Sequence, residues 1–587
     1  MSDANTSNST EATEAAPVEG QHSGLQRPRW HRFADYFVFG LAAVFLISQY
    51  FIWNVWEPSL GDSLKNLITQ SQFLLIQVLF VLWIFLCSPM SRKTALVIGI
   101  PLAVIVIGRF AAIRRIDFTG DMVPTFVWRW EKTHDDVLDE YRDTATTSTL
   151  APEADEIVIT PEDSPGYRGI DRSGVVVGPP IRQELNGSPT ELWRHPVGGG
   201  YAGMAVVDNL LVTIEQRKSD EVVVCYDAKT GQEIWTHSYL AHFQEAMGGP
   251  GPRSTPTIHG NHVFTMGAFG DVFCLNLVDG TPVWHVNCLQ QYGLPNNTWA
   301  MSSSPLISGE HVIINVGGLK GNGLVAYAIT DGSLIWQTEG LPEPVRTQDF
   351  DTGSAAVAES EKKSVPGYAS PFLATIHGIE QIINLDGVAV HGHDPKTGNV
   401  LWSHSFKNPP NVNVAQPLIF ADGRVFLSSS YDIGAMMIQV NKSDSGDWST
   451  EELWSNLFLR CKFTTPILID GHIYGLDEGR MVCLRAEDGK RLWKQGRSGL
   501  RGKYGHGQLL LVEGQILAMA ETGEVVLADV SPEGLDEVWH FDALPDAKTW
   551  NPHTLVRGRV YVRNAKEMAA FDISSSADST QQQLSQN

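Results

Sequence analysis

The chain has 587 residues, 43 % of them apolar, and a formal net charge of −23, so it can bury a core while its field argues against nucleic acid as a partner. Its 54 glycines and 17 tryptophans favour short strands and tight hairpins over helices. The six cysteines show neither C-x-x-C nor Cys/His spacing, which speaks against a zinc site or a disulfide framework.

Residues 1–32 are rich in Ser, Thr, Asn, Glu and Ala and end in an Arg-rich stretch (Arg27, Arg29, Arg32), which reads as a disordered tail. The region 33–113 reads as membrane-embedded. Residues 35–56 are apolar for long enough to span a bilayer, as are residues 73–87 with their flanks, while 94–108 contains Pro101 and spans only if Phe110 to Ile113 join it. No small-x-small cleavage site follows the first apolar run, so an uncleaved anchor is expected. Arg92 and Lys93 between the second and third runs, with the arginines before the first, place those loops in the cytoplasm. Three spans then put the remainder in the periplasm, on the outer side of the inner membrane; Arg109, Arg114 and Arg115 run against that orientation, and two spans would reverse it. Residues 114–163 carry an acidic excess and read as a solvated linker.

From there the chain repeats. A turn followed by x-x-x-W recurs as DAKTGQEIW (Trp235), LVDGTPVW (Trp284), ITDGSLIW (Trp336), DPKTGNVLW (Trp402) and AEDGKRLW (Trp493), with degenerate copies at Trp454 and Trp539. Asp-Gly and Thr-Gly supply hairpin turns, and the tryptophan is placed to fill the gap between neighbouring sheets. Upstream of the turns stand pairs of apolar strands opened by Pro256, Pro305, Pro371, Pro417 and Pro466; proline suits an inner edge strand because it donates nothing to a ladder. Seven units run from 194 to 539. The segment 551–573 adds three strands without a tryptophan, and the strand of Trp193 completes it. The expected fold is therefore all-β: an eight-bladed propeller of four-stranded antiparallel blades over 164–574, closed by its own first strand and preceded by transmembrane helices, with 575–587 as a second tail.

The D-x-x-[TD]-G-x-x-x-W repeat with S-x-P-x-I strands resembles the pyrroloquinoline-quinone (PQQ) type of propeller repeat. Two branches share it. The quinoprotein alcohol and glucose dehydrogenases hold PQQ and Ca²⁺ over the channel; the other branch resembles the outer-membrane assembly factor BamB and holds no cofactor. The segments PGYRGIDRSGVV, KTWNPHTL and YVRNAKEMAAF are similar to those of bacterial membrane-anchored proteins carrying this repeat. The resemblance implies either a non-catalytic scaffold that binds a protein or ligand, with a periplasmic protein as partner, or a PQQ-dependent membrane dehydrogenase oxidising an alcohol or sugar. The residues leave open whether the chain is an enzyme.

The mouth of the channel is expected where the inner strands begin. On one arc that places Tyr201, Arg253, Trp299, Ser302 and Tyr368; on the other Gln416, Thr464, His506, Trp550, Asn551 and His553. The set is aromatic, hydroxylated and mildly basic, which suits ligand or peptide binding. Glu245, Asn297 and Asn551 are the oxygen donors available for a Ca²⁺, and the insert 341–367 has carboxylates that could reach over the mouth. No catalytic residue is assigned. His391 and His393 of HGHDP are expected to flank a strand rather than bind metal, because Asp394 and Gly398 are turn residues of the repeat.

Overall fold

The computed structural model describes residues 29–56, 61–88, 90–145, 157–185, 187–318, 322–342, 344, 365–497, 502–545 and 548–575. The expected tails therefore lie outside the described residues up to position 28 and from 576, as does most of the 341–367 insert. The chain forms two compact units, one from residues 1–56 and 68–111, the other from 57–67 and 112–587.

Three helices account for the amino-terminal region: α1 (Arg29–Asn54), α2 (Gly61–Leu86) and α3 (Arg92–Ala112). Asp62–Leu86 and Arg92–Ala112 are long and apolar enough to cross a membrane, whereas the apolar stretch described in α1 is the shorter Val38–Asn54. The third segment, expected to be marginal, is thus among those long enough to span. α3 continues through Pro101 to Ala112, because a proline inside an apolar helix removes one backbone bond without ending it. Within the first unit, α1 and α2 are joined by polar side chains: Gln49 donates to Gln72 at 2.9 Å, and Thr69 donates to Gln49 at 2.8 Å. Such pairs hold helices together where water cannot compete.

The second unit is an eight-bladed propeller. Each blade is a four-stranded antiparallel sheet, and the blades occupy 205–240, 257–287, 306–337, 372–405, 418–456, 467–495, 508–542 and 554–572. Blade 8 takes its fourth strand from Thr190–Pro196, so Trp193 pairs with Ala570 and Pro196 with Glu567. This is the closure that the unpaired Trp193 demanded. Blade 7 has a fifth strand on its inner edge, Val175–Val176, parallel to 511–512.

The core lies between blades rather than within one. Eight apolar clusters each join two successive sheets. The tryptophans key one blade to the next. A Cβ on Gly231, the turn glycine of blade 1, would stand 2.7 Å from the Trp193 ring, and one on Gly332 would stand 2.8 Å from Trp284. The indole N–H then donates to the neighbouring turn, as in Trp193 to the Ala228 carbonyl (3.0 Å), Trp235 to Leu277 (2.9 Å) and Trp284 to Ile329 (2.8 Å). Turn glycine and tryptophan thus form one contact across a blade boundary. Cys225, Cys274 and Cys483 sit directly opposite Trp235, Trp284 and Trp493 in the ladder, where a small side chain leaves room for the indole.

The acidic stretch before the propeller contains regular structure. Strands β1 (Ile113–Phe118) and β2 (Pro124–Trp128) form a hairpin that joins no blade sheet among the described residues. Helix α4 (His134–Thr144) is capped reciprocally by Thr133 and Asp136. It lies on the seam between blades 8 and 1: Tyr141 stacks on His195 at 5.5 Å and Arg142 pairs with Glu233 at 3.5 Å. Acidic residues in its first turn match the helix dipole, so the charge that suggested a solvated linker also suits a capped helix.

Candidate functional site

The channel is closed at its lower end, where the inner strands finish, by residues 164–176. Ser164 bridges to Val206, the Ile258 N–H donates to the Pro165 carbonyl, and Leu511 donates to Gly174. Two arginines project from this plug into the ring. Arg168 donates to the Leu509 carbonyl at 2.9 Å and to Ser173 at 2.8 Å. Arg172 donates to the carbonyls of Ser304 (3.1 Å), Pro371 (2.7 Å) and Pro305, gathering blades 3 and 4 at the start of their inner strands. Burial pulls the Arg172 guanidinium down to about 9, which leaves it cationic at neutral pH. A cavity of about 130 Å³ remains between the plug and blades 1, 2, 7 and 8, with Arg168 and His553 in its wall.

The upper end carries most of the expected site. Tyr201, Arg253 and Trp550 come together: the two rings are 5.3 Å apart, and the Arg253 guanidinium lies 5.6 Å from the Tyr201 ring and 4.9 Å from Phe243. Trp550 meets Phe463 at 4.8 Å, and Phe463 meets His506 at 5.6 Å. Trp299 and Tyr368 pair at 5.9 Å and are half-buried. Burial lowers Arg253 to about 10 and raises the Tyr368 phenol to about 12. Other expected residues turn to the backbone instead. Ser302 donates to Ala300, Gln416 to Ser370, Thr464 to Gly507, and Asn551 to Gly200 and Ala202. Gln416, Thr464 and Asn551 brace adjacent blades, whereas the Ser302 bond stays within its own loop. His553 stands in the wall of the lower cavity, with Nε2 3.1 Å from the Leu517 carbonyl, and burial holds its imidazole at about 4.

The mouth also holds what sequence reading did not find: the tip of the β1–β2 hairpin. Lys462 donates to the Gly120 carbonyl at 2.7 Å, and Lys548 donates to Phe118 at 2.9 Å while lying 3.9 Å from the Trp550 ring. Glu521 accepts from the N–H groups of Gly120 (2.7 Å) and His506 (2.9 Å). The Asp121 carboxylate lies 3.1 Å from His506 Nε2 and 3.6 Å from Lys503. Burial alone would raise Asp121, but the His506 hydrogen bond and the charges of His506, Lys503 and Lys462 hold it at about 2. Burial lowers Lys462, and lowers Lys548 to about 8. The available signals were the FTGDM turn and two lysines placed next to inner-strand starts, in CKFTTP and KTWNP.

The donors present do not fit PQQ with Ca²⁺. The hairpin tip occupies the space over the mouth, and the carboxylates nearby are engaged with the backbone: Glu521 as above, and Glu245 with the N–H groups of Met247 (2.9 Å) and Gly248 (2.6 Å). The Asn551 NH₂ donates to two carbonyls and leaves its Oδ1 without a partner, a single neutral oxygen where Ca²⁺ takes about six to eight oxygen ligands. His391 and His393 lie inside a strand (Ala389–His393) rather than beside one. His391 is 3.0 Å from Asp386 and His393 is 3.0 Å from the Gly398 carbonyl. Both rings are drawn into the blade because they alternate with Val390 and Gly392 in a strand buried on both faces.

A family model described as outer membrane protein assembly factor BamB matches residues 219–495 and 470–587. The outer membrane protein assembly factor BamB of Yersinia pestis is 24 % identical over an alignment of 367 residues, taking in 55 % of this chain and 84 % of that protein. Among solved structures, BamB from Moraxella catarrhalis is similar at 15 % identity and a TM-score of 0.43, covering 66 % of this chain and 100 % of that one. A europium-containing methanol dehydrogenase is similar at 12 % identity and a TM-score of 0.40, covering 68 % and 90 %.

Proposed function

The chain belongs to the family of outer membrane protein assembly factor BamB, and on that premise we propose that it is a membrane-anchored, non-catalytic propeller whose mouth binds a protein partner on the periplasmic side. The observation that carries the reading is that the mouth already makes a protein contact: its lysines, His506 and Glu521 grip a backbone turn. The half-buried Trp299 and Tyr368 beside it offer the aromatic anchors typical of protein interfaces. The anchor is the set of apolar helices, and the arginine and lysine bias of the first loops orients the propeller outward from the inner membrane.

The test is in-cell photo-cross-linking from a probe at Trp299 in the full-length chain, together with calorimetric titration of the detergent-purified protein with PQQ, with and without Ca²⁺. A discrete cross-linked protein and no heat of quinone binding is the expected pair of results. Ca²⁺-dependent PQQ binding without a cross-link would return the chain to the dehydrogenase branch. Maleimide labelling of a cysteine introduced at Ser443, in intact cells, checks the orientation.

A further inference from the structure

Among the contacts described above, one is made by a side chain of the hairpin tip. Asp121 meets His506 and Lys503; every other contact above is to the backbone N–H or carbonyl groups of Phe118 and Gly120. Gly120 is required by space, since a Cβ there would collide with His506 and stand 3.1 Å from Glu521. The cradle is therefore matched to a Gly-Asp turn and indifferent to the strands behind it. Those strands pair only with each other among the described residues, and a two-stranded ribbon of that kind is marginal without support. The tip is thus a small, polar contact, steadied also by Asn66, which donates to the Asp121 carbonyl at 2.8 Å, and by Ser63, which donates to the Gly120 carbonyl at 3.3 Å.

The electrostatics point the same way. In a chain of net charge −23 the mouth gathers Lys462, Lys503, Lys548, His506 and Arg253. The carboxylates facing them from the propeller are Glu221, Glu245, Glu478 and Glu521. Asp62 and Asp121 add the charge that balances the cluster, Asp62 through Lys503 and Asp121 through Lys503 and His506. Lifting the tip takes Asp121 from His506 and Lys503 while Asp62 stays on Lys503, and it leaves Lys462, Lys548 and His506 over an aromatic floor without the acid that had faced them. Cations packed on Trp550 and Phe463 are partly desolvated, which strengthens their attraction for a carboxylate.

We propose that the mouth is a receptor for an acidic Gly-Asp turn presented by a partner protein, and that the chain's own turn 119–123 is a tethered competitor for that receptor. The inference rests on the protein-binding reading of the mouth. A tethered turn acts at an effective concentration of the order of millimolar, so a partner displaces it by adding contacts that the tip lacks. Trp299 and Tyr368, on the same mouth, supply them.

The experiment uses the full-length chain in detergent and a fluorescein-labelled synthetic peptide with the sequence of residues 113–128, followed by fluorescence anisotropy. Gly120→Leu expels the tethered tip while leaving the cradle intact. The peptide is expected to bind Gly120→Leu at least about tenfold more tightly than the unaltered chain, and an Asn at the peptide's Asp121 position to remove about tenfold of that affinity. Adding Lys462→Gln to the Gly120→Leu chain is expected to reduce binding again. Equal binding by both chains, or indifference to the Asp-to-Asn change, overturns the proposal. If Gly120→Leu lacks the cooperative melt of the parent, Asp121→Asn replaces it as the loosened chain, with the same two outcomes. The Trp299 cross-link separates this inference from the scaffold reading. Its yield should rise in the loosened chain, and an unchanged yield sinks the competitor while leaving the scaffold intact.

Discussion

The two ends of the propeller channel are closed by the same stretch of chain in opposite ways. At the lower end Arg168 and Arg172 hand their N–H groups to backbone carbonyls of three different blades, and among the described residues no carboxylate accepts these hydrogen bonds. At the mouth the partners are ionisable side chains, and what they hold is a turn at the end of a hairpin. Carbonyls of inner strands cannot be exchanged without opening the sheets, whereas an Asp–His–Lys cluster can be re-formed with another acid. The lower closure belongs to the fold, and the upper one has the chemistry of binding.

The largest effect is expected at the lower end. Arg172→Met leaves the carbonyls of Ser304, Pro305 and Pro371 without their donor inside the ring, and should destabilise the propeller by about 3 kcal/mol or more. Thermal melting followed by near-ultraviolet circular dichroism reads this directly. A melt within a degree of the parent would mean that the plug is dispensable.

Acid should separate the two ends by pH window. The His553 imidazole sits at about 4 in the fold, below its ordinary value near 6.5, because burial disfavours the charged form. Its contribution is complete above about pH 6.5 and is lost as pH falls toward 4, up to about 3 kcal/mol by linkage. Asp121 is held at about 2 against an ordinary 3.8, so the mouth contact is complete above about pH 4 and is lost as pH falls toward 2. His553→Gln should flatten the stability profile between pH 6.5 and 4 and leave the lower window unchanged. A profile unaltered by that substitution would break the assignment.

A smaller effect is expected from Asp121→Asn. It should cost about 1 kcal/mol locally, speed hydrogen exchange at residues 118–123, and leave the global melt unmoved. The smallest belongs to the rim of α4. Arg142→Ala removes a partly exposed pair with Glu233 and should change stability by less than about 0.5 kcal/mol.

What was legible in the sequence is what repeats. The turn glycine and the tryptophan are visible because each blade copies them, and Trp193 was assigned to the last blade because no other unit lacked that strand. The aromatic half of the mouth was legible from the position of Tyr201, Trp299, Tyr368 and Trp550 beside inner strands. The hairpin tip was not, for its partners Lys462, Lys503 and Glu521 come from three separate loops that nothing local connects to residue 121. The two plug arginines are visible in the sequence only as members of the PGYRGIDRSGVV segment. Their hydrogen bonds go to carbonyls, which every residue carries, so no complementary side chain marks the target.

The clasp between Thr190–Pro196 and blade 8 sets a schedule for biogenesis. Arg194 and Glu567, which pair across it at 2.8 Å, are 373 positions apart. While the chain is being made, the strand of Trp193 has no ladder partner until the last blade emerges, and every earlier blade waits in an open arc. Such non-local pairing slows folding and leaves strand edges exposed. A protein with this seam gains from being held in one place until synthesis is complete, and under the anchoring proposed above the apolar helices near the start of the chain would provide that holding point.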